Sequence, residues 1–124
     1  HLMGGPAMPR REEQLAERIK HAMQVFAGHQ PSKRTSHAEF GGAVAAKQGQ
    51  RTPYSAETVW KWMNGEFIPN LQTLRSIGDT AGFNDAQFGH LVYGDEYTIN
   101  AIDEEDFRRF YRGLQIEPAS TRAP

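Results

Sequence analysis

Helix-stopping residues recur along this chain at intervals that no long helix could span: Gly28 and Pro31, Gly49 and Pro53, Gly65 and Pro69, then Gly82 and Gly94. Proline removes a backbone donor and clashes with the preceding turn, and glycine suits the left-handed residue just past a helix end. The segments between these stops must fold as separate short elements, and their apolar residues decide for helices. Leu15, Ile19, Ala22, Met23 and Phe26 make one stripe of an amphipathic helix over 10–28. No segment alternates convincingly at period two. The expected fold is all-α, without repeats.

Start signals agree with the stops. Ser36-x-x-Glu39 is a capping box opening a helix over 37–48, with Phe40, Ala43 and Val44 on its apolar side. Gly41-Gly42 inside it costs about 1 kcal/mol per glycine relative to alanine, which predicts a close crossing by another helix. Ser55 caps a third helix over 56–64, closed by Gly65. Asn70 caps a fourth, with Leu71, Leu74, Ile77 and Ala81 inward. Phe83 before Asn84 opens a fifth, with Phe88, Leu91 and Val92 inward. A sixth is predicted over 103–114, carrying Phe107, Phe110, Tyr111 and Leu114. The acids Asp103–Asp106 fill its first turn and arginines follow, as the helix dipole favours. Residues 1–9 read as a tag or a disordered N-terminus, and 117–124 as a disordered tail.

The chain of 124 residues suits one modest core. It has no cysteine, which excludes disulfides, zinc–thiolate sites and thiol catalysis. No run is long and apolar enough for a spanning helix, so a cytoplasmic protein with no membrane partner is expected. His21, His29, His37 and His90 show no metal-ligand spacing, and no nucleophile–base pair or phosphate loop is visible. No metal or cofactor is expected, and an enzyme is the least expected outcome. Net charge is −1, but its distribution is uneven: 31–65 holds five bases against two acids, while 79–106 holds eight acids and no lysine or arginine. One side could face a polyanion that the other repels.

Helix three carries the sharpest signal. At about 100° per residue, Val59, Trp62 and Met63 share one apolar arc, while Ala56, Glu57, Trp60 and Lys61 share the opposite one. Trp62 is therefore assigned to the core. Trp60 shares an outward face with a lysine, a glutamate and a small alanine, an unusual place for an indole on a merely solvated helix. It either contacts a partner or packs under the 46–54 loop against Tyr54 or Pro53. Glu57 either reads a ligand or pairs with Lys61 at i+4.

The run from Ser55 through Thr58-Val59-Trp60 to Gly65, followed by Pro69-Asn70-Leu71-x-Thr73-Leu74-x-x-Ile77, resembles the helix-turn-helix signature of the lambda-repressor-like (Xre/Cro-type) transcriptional regulators. Gly82-Phe83-Asn84 through Gly94 is similar to that family's fifth helix and its closing glycine. The resemblance implies a five-helix DNA-binding domain over 10–94, with a C-terminal extension over 95–116 that packs or dimerises. Two departures stand out: the stretch between Ala45 and Ser55 is longer than the family's turn, and Gly41 stands where alanine is usual. The resemblance implies a sequence-specific regulator that binds double-stranded DNA as a homodimer and reads the major groove with Ala56, Glu57, Trp60 and Lys61. It places phosphate contacts on Ser36, His37, Ser55, Thr58 and Asn64, and the charge pattern adds Lys33, Arg34, Lys47 and Arg51. Phe107, Phe110, Tyr111 and Leu114 are the dimerisation candidates, with folding back on the chain's own core as the other reading. The alternative function is a protein-interaction module on the same fold, of phage or toxin–antitoxin type, with a regulatory protein as partner.

Overall fold

A computed structural model describes residues 10–97 and 102–118. The tag-like start at 1–9 and the part of the expected tail at 119–124 lie outside the described residues. Among these residues six helices follow one another: α1 (Arg11–Gly28), α2 (His37–Gln48), α3 (Ala56–Met63), α4 (Leu71–Ala81), α5 (Asp85–Tyr93) and α6 (Glu104–Phe110), with a 3-10 turn at Gly94–Glu96. Among the described residues, the only β feature is a lone parallel bridge between Ile68 and Ile116. The chain is all-α.

The caps are those the sequence marks. Ser36 Oγ accepts the Glu39 N–H at 3.0 Å while the Glu39 carboxylate accepts the Ser36 N–H at 3.0 Å. Ser55 Oγ takes the Thr58 N–H at 3.1 Å, Asn70 Oδ1 the Thr73 N–H at 2.8 Å, and Asn84 Oδ1 the Gln87 N–H at 2.8 Å. Each satisfies a donor that a helix start otherwise leaves unpaired. Gly49 and Gly82 adopt the left-handed conformation that ends α2 and α4.

α1 lies across α3, α4 and α5, and α2 packs on α3 and α4. Leu15 and Ile19, Phe40 and Val44, Val59 and Trp62, Leu74 and Ile77, and Phe88, Leu91 and Val92 close one core between them. Gly41 is where the chain comes closest to itself. A Cβ there would fall on the Tyr54 carbonyl oxygen and 3.0 Å from Val59 Cγ2. The expected crossing is therefore made mainly by the backbone entering α3 rather than by the side of another helix. Gly42 has nothing nearer than Pro53 Cβ at 4.0 Å, so only the first glycine is required.

The C-terminal part departs from expectation in two ways, at the end of α6 and in the tail. α6 ends at Phe110 rather than at Leu114, because Tyr111 leaves the helix and Gly113 turns the chain through φ +84°. Of the two readings for the dimerisation candidates, packing on the chain's own core is seen: Phe107 and Tyr111 are wholly buried in it, and Phe110 and Leu114 are half-buried against it. Glu117 and Pro118, expected in a disordered tail, are held. The Ile68 N–H donates to Gln115 O at 2.8 Å, the Glu117 N–H to Ile68 O at 2.6 Å, and Asn70 Nδ2 to Pro118 O at 3.0 Å.

Two arginines of α1 fasten this end. Arg11 donates to Phe110 O at 2.6 Å and stacks 3.9 Å over its ring. Arg18 donates to the last carbonyls of α5, Leu91 O at 2.9 Å and Val92 O at 3.1 Å, and lies 3.3 Å from the Tyr111 hydroxyl. That hydroxyl donates to Val92 O. Burial pushes it up to about 12, against the opposing pull of Arg18. The acids opening α6 pair within their own helix, Glu104 with Arg108 at 3.0 Å and Glu105 with Arg109 at 3.0 Å, as a dipole-matched first turn predicts.

Candidate functional site

α3 is two turns long and shows the division read from its wheel. Val59, Trp62 and Met63 are buried; Ala56, Glu57 and Trp60 are exposed, and Lys61 is half-exposed. Trp60, at 50% exposure, is the one large apolar side chain left open among the described residues. The ion pair between Glu57 and Lys61, one of the two readings for Glu57, does not form: neither side chain has an ion-pair partner among the described residues. Both are free for an outside partner.

The long turn over 49–55 does not cover Trp60. Its anchor, Tyr54, meets Trp62 edge-on with ring centroids 4.9 Å apart. The Tyr54 hydroxyl donates to Gln48 Oε1 at 2.6 Å and lies 3.3 Å from Thr73 Oγ1. The turn thus packs on the core indole rather than over Trp60, whose indole lies beyond it and stays open.

Trp60 instead walls an open groove of about 640 Å³ between α1, the start of α2 and α3. Met23, Ala27 and Met63 give it an apolar floor, while Arg34, His37 and Asn64 stand on its rim. The phosphate-contact candidates therefore separate. Arg34, His37 and Asn64 gather beside Trp60. Ser36 and Ser55 spend their hydroxyls on caps, Thr58 takes the Ser55 hydroxyl at 3.0 Å, and Asn64 Nδ2 donates to Trp60 O at 2.7 Å. Lys33 turns back to Gly28 O at 2.8 Å from a left-handed backbone. Lys47 lies ten residues along α2 from His37, about 15 Å at the helical rise, and Arg51 sits in the turn that enters α3. Both are exposed.

Sequence reasoning missed the contribution of α1 to this groove. Lys20 and Gln24 line it beside Met23, which the stripe assigns to the core and which is only half-buried. Met23's place at the edge of the apolar stripe was the available signal, but only the packing of α1 on α3 shows what lies opposite. Among the described residues no group of three or more histidine or acidic side chains gathers as a metal set, and no helix is long and apolar enough to cross a membrane. Comparison with protein-family models, curated proteins and solved structures finds no match to this chain.

Proposed function

We propose that this protein is a sequence-specific, double-stranded-DNA-binding regulator built on a lambda-repressor-like helix-turn-helix, with α3 as the reading helix. The observation that carries the proposal is the outer face of α3. It is a short capped helix presenting an amine, a carboxylate and an indole, none committed to an ion pair among the described residues. In the major groove, Lys61 donates to guanine O6 or N7 and Glu57 accepts from cytosine N4, while Ala56 and Trp60 offer apolar contact to thymine methyls. Arg34 and His37 beside one part of α3, and Arg51 in the turn leading to the other, supply attraction to phosphates that is indifferent to sequence. Reading a two-fold operator takes two copies of the chain, which makes a homodimer part of this proposal. Catalysis has no part in it.

The test is a titration of labelled duplex fragments at two salt concentrations. Saturable binding that weakens steeply with salt supports the proposal, and no binding at about 50 mM salt overturns it. Lys61→Ala is expected to flatten preference among sequences by roughly 1–3 kcal/mol, whereas Arg51→Ala weakens all sequences alike. The same behaviour from both variants would show that Lys61 is not a reader.

One observation favours the second reading, a protein-interaction module. The groove beside Trp60 has an apolar floor, which suits an inserted side chain of a protein partner better than a phosphate backbone. Under that reading Trp60→Ala abolishes partner binding and duplex DNA does not compete.

A further inference from the structure

The outer face of α3 is useful only if the helix is held at a fixed angle, and two turns of helix hold no angle alone. Isolated helices shorter than about 12 residues are marginal in water, so α3 depends on what grips its ends. At its start, the Tyr54 N–H reaches Gly41 O at 3.4 Å and the Tyr54 hydroxyl meets Thr73 Oγ1 at 3.3 Å. At its end, the Glu66 N–H returns to Lys61 O at 3.2 Å, and the loop runs on through the buried Ile68 to Asn70.

Both grips meet in the first turn of α4. Thr73 faces Tyr54 with its hydroxyl, and its N–H is capped by Asn70 Oδ1 at 2.8 Å. Asn70 is buried and uses both ends of its amide: the oxygen caps α4 while the nitrogen donates to Pro118 O at 3.0 Å. The C-terminal segment closes over this junction. It takes the Ile68 N–H on Gln115 O and gives the Glu117 N–H to Ile68 O, so the one backbone residue between α3 and α4 that is paired in both directions is paired to 115–117.

We infer that residues 115–118 form a strap that positions α3, with Asn70 and Thr73 as the junction through which it acts on both ends of the helix. The strap touches no ligand. It sets the angle at which Glu57, Trp60 and Lys61 are presented. Without it, both polar groups of Ile68 and the Asn70 amide nitrogen lose their partners, and the loop over 64–70 is released from α4. The packing of α1 on α4 and α5 does not pass through the strap, so the effect belongs to α3.

Hydrogen exchange on the folded protein tests this without any ligand. The variants are a chain ending at Leu114 and Glu117→Pro, which removes the one N–H given to Ile68; Glu117→Gln keeps that N–H and serves as control. Amides of α3 and of 64–70 are expected to exchange roughly tenfold faster in the first two variants, with α1 and α5 unchanged and the control no faster than the parent. Unchanged protection of α3, or an equal loss in every helix, overturns the inference. The functional consequence rests on the DNA reading and has its own arm. Glu117→Pro should lower the ratio of specific to non-specific duplex affinity roughly tenfold with its salt dependence retained. Equal weakening for all sequences overturns the positioning role. A parent chain with no preference among duplexes overturns the DNA reading, while the exchange result still decides the strap.

Discussion

Adjacent residues of one type in this chain do different physical work. Gly41 lies against the Tyr54 carbonyl, a backbone atom that cannot swing aside, so Gly41→Ala is expected to cost about 1–3 kcal/mol in denaturant unfolding. Gly42, one position on, has open space, and Gly42→Ala should stabilise by about 0.5–1 kcal/mol through helix propensity. Equal effects would show that α2 tolerates no added Cβ anywhere on that side, or needs neither glycine. Glu117 makes a second residue-scale case. Burial pushes its carboxyl above the ordinary range, against the weaker downward pull of the Asn70 N–H and the Thr73 hydroxyl. A carboxyl raised in the fold holds its proton more tightly there than in the unfolded chain. Its stabilising contribution is complete below the ordinary carboxylate range and is lost as pH rises through the raised value. Glu117→Gln should therefore be more stable than the parent at neutral pH, with the gap closing in acid. A Gln variant less stable at neutral pH would mean that the two hydrogen-bond donors outweigh burial.

Elements were legible in the sequence wherever their determinants are local. Ser36, Ser55, Asn70 and Asn84 each cap the helix that follows, because a cap depends on a side chain and an N–H three residues away. The partition of α3 was legible for the same reason, since helical spacing alone puts Trp60 opposite Trp62. What Trp60 faces was not, because Met23, Arg34 and His37 come to it from α1 and from the start of α2, through packing that no local spacing encodes. The strap was illegible on the same grounds: Ile68 and Ile116 pair across three intervening helices, and EPAS has a tail's composition. The long turn over 49–55 reads as a loop in sequence but is built as an anchor through Tyr54. Tyr54→Phe keeps the ring against Trp62 and loses the bonds to Gln48 and Thr73, with an expected cost of about 1 kcal/mol. Combined with Thr73→Val, the total should fall short of the sum of the single variants, because both remove the same contact. Additive costs would show that the turn and α4 are not coupled through this pair.

At the scale of the whole molecule, the question is where the C-terminal part spends its apolar surface. α6 and the turn after it bury Phe107 and Tyr111, lay Phe110 under Arg11, and pass the chain on to Ile68. The acids of α6 turn outward and pair with their own arginines, leaving the bases of α2 and the turn after it exposed on other elements. A polyanion approaching α3 is thus attracted by the start and end of α2, while the acidic stretch is partly neutralised within one helix. Phe107 and Tyr111 are thereby taken up by the chain's own core. Truncation of a wholly buried phenylalanine costs about 3–5 kcal/mol when its partners lie in the same chain, and that cost does not depend on how concentrated the chain is. Phe107→Ala is therefore expected to lower unfolding stability by that amount equally in dilute and in concentrated protein. If the loss appeared only where the parent chain self-associates, the aromatic face of α6 would be an interface between copies, and its place in the core described above would be wrong.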